Sequence, residues 1–171
     1  MTPEPSEVRW PAQLARVNEG ALSVAAYCVL ALLVVCAAAV LARYVLGWSA
    51  IAVQELLIYL HCLAVVLAIP ATWQRDGHVR IDIWYRRWSP RLQQRVNRIG
   101  IALLAIPMFG FMGWACWDYV AVAWARSEAS AEPGGLRWLW LLKTCLLVLP
   151  AQLLLAAVVL WFRPLQEQPS A

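Results

Sequence analysis

Four apolar runs, each long enough to cross a lipid bilayer as a helix, dominate this sequence. They span residues 21–42, 56–73, 99–125 and 138–162. A helix needs about 20 residues to cross a hydrocarbon core of about 30 Å. The runs are continuously apolar and lack the alternation of barrel strands. The sequence therefore predicts an all-α membrane protein, residues 1–171, forming one integral domain with four transmembrane helices.

Basic residues are concentrated between the second and third runs. Seven of the 14 fall within the 24 positions from Arg75 to Arg98. With the N-terminus inside, ten basic residues lie on the cytoplasmic side and four on the other. Cytoplasmic connections collect Arg and Lys, so both termini are predicted to be cytoplasmic. The arginines expected to contact anionic phospholipid headgroups are Arg75, Arg86, Arg87, Arg91 and Arg95.

The same segment, the amphipathic hinge (76–98), carries a helix start signal. Ser89 suits an N-cap, and Pro90 suits the first helical position. Apolar residues then recur at spacings of three or four, with arginines elsewhere around the helix. The pattern predicts a cytoplasmic amphipathic helix between the second and third spans, meeting the inner headgroup layer. Headgroup contact accounts for the net charge of +4, so no nucleic-acid partner is expected.

Ionisable side chains within the spans are few. Asp118 lies late in the third run and Lys143 about one turn into the fourth. Antiparallel helices would bring them to similar depth, which predicts an intramembrane ion pair. His61 is the one histidine within a span, and we interpret it as a hydrogen-bonded packing residue.

Patterns typical of catalysis are missing from the sequence. The five cysteines lie in apolar runs without a C-x-x-C pair, and haem ligation by His61 would need a second axial partner. We therefore expect no enzyme, cofactor or metal site. Two other functions stay open. One is a small autonomous four-helix exporter, although such proteins use a carboxylate in their first helix, and residues 21–42 contain none. The other is a membrane redox subunit.

Several short motifs then occur in a recognisable order. Glu55-Leu56 opens the second run, and Pro70-Ala71-Thr72 and Gly77-His78-Val79-Arg80-Ile81-Asp82 follow. After the third run come Ser127-Glu128-Ala129-Ser130, Gly134-Gly135-Leu136 and Leu142-Lys143-Thr144. From about Asn18 to Trp161 the chain resembles the small membrane subunit of tripartite ATP-independent periplasmic (TRAP) transporters, the DctQ-like family. The later motifs are similar to a subgroup linked to organic acids, with Arg137 where that subgroup usually has Pro.

The resemblance implies a division of labour in the bacterial inner membrane. A large membrane subunit would carry the sodium and substrate sites, and a periplasmic binding protein would deliver an organic acid or related solute. The small subunit would be a non-catalytic scaffold for the large one. His78, Arg80 and Asp82 are implied to order the cytoplasmic connector, while Glu55 and Glu128 are implied to lie nearer the binding protein.

Overall fold

The computed structural model describes residues 9–75, 77 and 85–162. Within them, every regular element is helical, which confirms the predicted all-α fold with four long apolar helices. The α-helices are α1 (Arg9–Val45), α2 (Ile51–Gln74), α3 (Pro90–Gly100), α4 (Ile106–Ala125) and α5 (Leu139–Trp161). A 3-10 helix (Tyr85–Arg87) precedes α3, and a π-helical turn (Ile101–Ala105) joins α3 to α4.

Helix α1 is much longer than the apolar run that predicts it. It has 37 residues and begins at Arg9, whereas the apolar run begins only near residue 21. Pro11 lies in the first turn of this helix, where proline is tolerated, and Gly20 is a weak helix former that does not by itself end a helix. The segment between them therefore continues the helix ahead of the apolar run. Residues 9–20, which precede the apolar run, are therefore helical as well.

The third crossing is one continuous helical stretch. The 36 residues Pro90–Ala125 run without a break through α3, the π turn and α4. Pro90 occupies the first turn as predicted, and Ser89 is the N-cap residue, although its side chain makes no capping hydrogen bond. The π turn ends just before Pro107, which has no N–H for the regular helical ladder. The position of α3 at a headgroup layer stays a prediction.

The helices pack in a simple order across the bundle. α1 lies against α2, α2 against α5, and α5 against α4, with a smaller contact between α1 and α5. The buried positions are mostly small residues, such as Ala123, Ala156 and Ala157, each 0% exposed. Small residues let membrane helices approach closely. α4 is thus a peripheral helix that packs principally on α5.

Two connections meet at the same end of the bundle. Residues 46–50 join α1 to α2, and residues 126–138 join α4 to α5. We call this the loop end of the bundle. The C-terminal end of α2 and the start of α3 lie at the opposite end, which we call the hinge end. There Arg75 approaches Glu19 at 3.6 Å, and both side chains are more than half exposed.

Candidate functional site

The longer connection at the loop end is folded around the carboxylate of Glu55. Glu55 lies in the first turns of α2, where its side chain can reach out of the helix toward residues 126–138. The Ser130 hydroxyl donates to Glu55 Oε1, and the Leu136 N–H donates to Glu55 Oε2 at 2.6 Å. Ionised acceptors make the stronger hydrogen bonds. We call this arrangement the Glu55 clamp, and it ties α2 to the α4–α5 loop.

The loop closes on itself so that both donors reach Glu55. The Ser130 N–H donates to the Leu136 carbonyl at 2.9 Å, and the Glu132 N–H donates to the Ser130 hydroxyl oxygen at 3.1 Å. Gly135 fits between these groups because a Cβ there would lie 2.5 Å from Ser130 Oγ and 2.7 Å from Glu55 Oε1. Gly134 has φ +82°, a conformation that favours glycine. Glycine is therefore required at position 135 by lack of space and favoured at position 134 by the backbone conformation.

A second polar cluster lies on the other side of the same loop. Lys143 Nζ donates to Glu128 Oε2 at 2.6 Å, and their side chains are 13% and 35% exposed. The same ammonium lies 4.0 Å from the centroid of the Tyr119 ring, a cation–π distance. We call this the Lys143 cluster. It joins α4, the loop and α5 through one cation.

Aromatic residues support the Lys143 cluster. The Trp124 indole N–H donates to Thr144 Oγ1 at 2.9 Å, and the Trp124 and Trp140 ring centroids are 4.3 Å apart. The Trp140 N–H in turn donates to the Glu128 carbonyl at 3.3 Å. Tryptophan is typical of the membrane–water interface, so we expect these rings to lie at the boundary of the hydrocarbon at the loop end.

The predicted pairing of Asp118 with Lys143 is wrong, because Lys143 pairs with Glu128. Asp118 lies at a depth similar to that of Lys143, since Tyr119, the residue after Asp118, contacts Lys143. The two residues do not pair because Asp118 lies in another direction around α4. Asp118 is two residues from the buried Val120, which places it about 200° away around α4. Asp118 is exposed and, within the described residues, makes no hydrogen bond or ion pair.

The interpretation of His61 as a hydrogen-bonded packing residue is also wrong. Its side chain is exposed on α2, in line with the exposed Ile58 and Val65 at helical spacing. No hydrogen bond from His61 occurs within the part of the chain that the structure describes. The sequence gives its depth in the span but not the face on which it lies.

The hinge residues are described only in part. His78, Arg80 and Asp82 lie outside the described residues, and the side chain of Arg86 does too. Arg87, Arg91 and Arg95 are exposed. Arg75 is exposed too, and it lies near Glu19. Contact of these arginines with lipid stays a prediction.

The start of α3 holds the last part of the hinge in place. The Gln93 side-chain amide donates to the carbonyl of Tyr85 at 2.9 Å and to that of Trp88 at 3.2 Å. The Asn97 amide donates to the Tyr85 hydroxyl at 2.7 Å. Residues 85–88 are therefore bonded to the first turns of α3.

The two loop-end clusters are suited to holding elements together. Glu55 and Glu128 are both engaged by donors from other segments, and among the described residues no group of three His, Cys, Asp or Glu side chains is arranged to hold a metal. The sequence motifs contain Ser130, Gly135 and Leu136 but do not reveal that they converge on Glu55. Tyr119 carries no sequence signal for its contact with Lys143.

Comparison with protein-family models places the fold and the clusters in a known context. Residues 20–167 match the family described as Tripartite ATP-independent periplasmic transporters, DctQ component. Comparisons with curated proteins and with solved structures gave no match. The family match covers most of the 171 residues. It includes α1 from residue 20 onward and all of α2 to α5, with the Glu55 clamp and the Lys143 cluster. The chain therefore belongs to the DctQ family, the small membrane component of TRAP transporters, and is a multi-pass inner-membrane transporter subunit rather than an enzyme.

Proposed function

We propose that this chain is the static scaffold of its transporter, against which the large membrane subunit carries out sodium-coupled uptake of an organic acid or related solute. In this proposal the sodium and substrate sites belong to the large subunit, and a periplasmic binding protein delivers the solute. The small subunit contributes a fixed helical wall in the membrane.

The observation that carries the proposal is that the polar groups at the loop end bond the helices to one loop. The Glu55 clamp bonds α2 to the α4–α5 loop, and the Lys143 cluster bonds that loop to α4 and α5. Three of the four crossings are thus fastened to one loop. Among the described residues, the buried positions between the two ends are apolar, and the one buried polar residue, Asn18, lies near the hinge end. The half-buried Tyr59 and Gln152 bring a hydroxyl and an amide oxygen into the interior but no charge. Such an interior suits a rigid support better than a path for a charged solute.

The charge pattern supports a definite orientation for this scaffold. We infer that both termini and the hinge are cytoplasmic, because the hinge arginines outnumber the basic residues at the loop end. Arg87, Arg91 and Arg95 are exposed and would bind anionic headgroups at about 1 kcal/mol each. The loop end would then face the periplasm, where the binding protein docks.

The proposal is tested by reconstitution into liposomes with the large subunit and the binding protein of the same system. Four preparations are compared: this chain alone, the large subunit alone, both subunits, and both without a sodium gradient. We expect binding-protein-dependent uptake only with both subunits and the gradient.

Solute movement in liposomes that contain only this chain would contradict the proposal and favour an autonomous transporter. Full uptake by the large subunit alone would contradict the scaffold role. Uptake by both subunits without sodium would overturn the coupling, while leaving the scaffold role standing.

A further inference from the structure

Helix α4 presents one continuous stripe away from the bundle. Its members recur at spacings of three or four residues and are all exposed: Met108, Phe111, Ala115, Asp118 and Val122. We call this the Asp118 stripe. The opposite side of α4 carries Val120 and Ala123, which are 3% and 0% exposed against the rest of the bundle. Four of the five members are apolar, so the carboxyl group of Asp118 is the exception.

The carboxyl group of Asp118 lies at a depth where lipid is a poor solvent for it. Asp118 is six residues before Trp124, about 9 Å along the helix axis from the interfacial rings at the loop end. In a helix each Cα–Cβ bond tilts toward the N-terminus. The Asp118 side chain therefore leans away from the loop end and toward the middle of the bilayer. Because Asp is short, it cannot reach water as Lys or Arg can.

Nothing in the described part of the chain satisfies this carboxyl group. The nearby cation of Lys143 is occupied by Glu128 and the Tyr119 ring on another side of α4. Ionisable groups within membrane helices face protein or water rather than lipid. The group that satisfies Asp118 must come from outside the described residues, and a partner subunit in the membrane can supply it at this depth.

We propose that the Asp118 stripe is the surface on which the large membrane subunit docks, and that the large subunit presents a cationic side chain to Asp118. This inference rests on the proposed function, and it adds the docking face and the chemistry of its central contact. The apolar members would pack against a transmembrane helix of the partner. One charge pair would fix the register of that helix, as buried polar pairs do in helical assemblies.

A second copy of this chain fits the stripe poorly. A two-fold contact through the same face would place two Asp118 carboxyl groups close to the symmetry axis. Like charges at such a site repel each other. A partner that carries the opposite charge satisfies the carboxyl group.

Asp118→Leu is the first test, with the large subunit co-expressed and recovered in mild detergent. The isolated variant is expected to unfold at the same temperature as the unaltered chain or higher, because an unpaired carboxyl group is replaced by an apolar one. Recovery of the large subunit is expected to fall about threefold or more, the effect of losing one strong interhelical contact. Glu132→Gln is the matched control, since it removes an exposed carboxylate from the loop and should leave recovery unchanged.

Photo-crosslinking from Phe111 is the second test, and it does not depend on how Asp118→Leu folds. A photoreactive amino acid at Phe111, which is 65% exposed on the stripe, should crosslink to the large subunit. The same probe at Ile58, which is 57% exposed beside His61 on α2, samples the competing outward face.

The outcomes separate this inference from the proposed function. Unchanged recovery with Asp118→Leu, or crosslinks from Ile58 with none from Phe111, would overturn the docking face while leaving the family role intact. Crosslinks from Phe111 to a second copy of this chain would overturn the choice of partner. If the unaltered chain recovers no large subunit, both proposals fail together.

Discussion

At the residue scale, Glu55 is the most consequential side chain. Its two carboxylate oxygens accept from donors in different parts of the α4–α5 loop. Glu55→Gln keeps the size but removes the charge and one of the two acceptor oxygens. We expect the thermal unfolding midpoint in detergent to fall by about 3–8 °C, measured by circular dichroism.

A local readout accompanies that change. Trypsin cleavage at Arg126 or Arg137, which flank the released loop, should become faster in Glu55→Gln. Glu132→Gln serves as the control because the Glu132 side chain is exposed and only its backbone takes part in the loop. Equal cleavage rates in the two variants would show that the clamp does not order the loop.

Lys143 and Glu128 should behave as a coupled pair. Each single change, Lys143→Met or Glu128→Gln, breaks the same 2.6 Å contact, so the double variant should lose less than the sum of the single losses. Each single change should lower the unfolding midpoint by about 2–6 °C. Asp118→Asn combined with Lys143→Met should be additive, because Asp118 faces away from Lys143. Coupling in the second cycle and none in the first would refute this assignment.

The contacts of individual side chains at the loop end were only partly predictable from the sequence. The motifs single out Glu55, Glu128 and Lys143, and all three make defined contacts at the loop end. The partner of Lys143 was missed because a span gives the depth of a residue but not its direction around the helix. Glu128 lies in a loop that folds back toward α5, and loop paths leave no periodic signal in sequence.

At the scale of elements, the contact between α4 and α5 rests on small residues. A Cβ at Gly113 would lie 3.9 Å from Pro150 Cγ, whereas a Cβ at Gly110 would meet nothing within 4 Å. Gly113→Leu should overpack this contact and destabilise the isolated chain by about 1–3 kcal/mol. Gly110→Leu is the matched control and should unfold at the original temperature or above it. Urea or thermal unfolding of both variants measures the difference, and equal destabilisation would contradict the packing.

The sequence predicted which long helices form, but it did not predict all of their boundaries. The fourth apolar run, 138–162, agrees closely with α5 because Trp138 and Phe162 lie at the ends of that helix. The Ser89-Pro90 signal located the start of α3 correctly. The start of α1 was missed by about twelve residues because hydrophobicity ends where the membrane ends, whereas helical hydrogen bonding continues into polar sequence.

At the scale of the whole molecule, the orientation in the membrane is the main prediction that remains to be measured. After replacement of the five cysteines, which are all free, single cysteines are introduced at Arg87 and at Glu132. A membrane-impermeant maleimide added to intact spheroplasts should label the Glu132 site strongly and the Arg87 site only after the membrane is opened. The reverse pattern would invert the topology and place the hinge in the periplasm.

Family and architecture were accessible from the sequence because they depend on patterns along the chain. Apolar run length predicts the crossings, and the ordered motifs resemble the family that the match over residues 20–167 establishes. The packing of the helices could not be predicted from the sequence. Every face of the long helices is apolar, and a face that contacts lipid tails is as hydrophobic as a face that contacts another helix. The exposed positions of Asp118 and His61 are the result of that arrangement.

The length of α1 has a practical consequence for work on the assembled transporter. At 1.5 Å per residue its 37 residues extend about 55 Å, well beyond a hydrocarbon core of about 30 Å. The helical turns in excess of this thickness lie at the hinge end, where Glu19 approaches Arg75. A fluorophore or capture tag joined ahead of Arg9 should therefore stand away from the headgroups. In the proposed orientation, a complex tethered through this tag would leave its periplasmic face free for the binding protein.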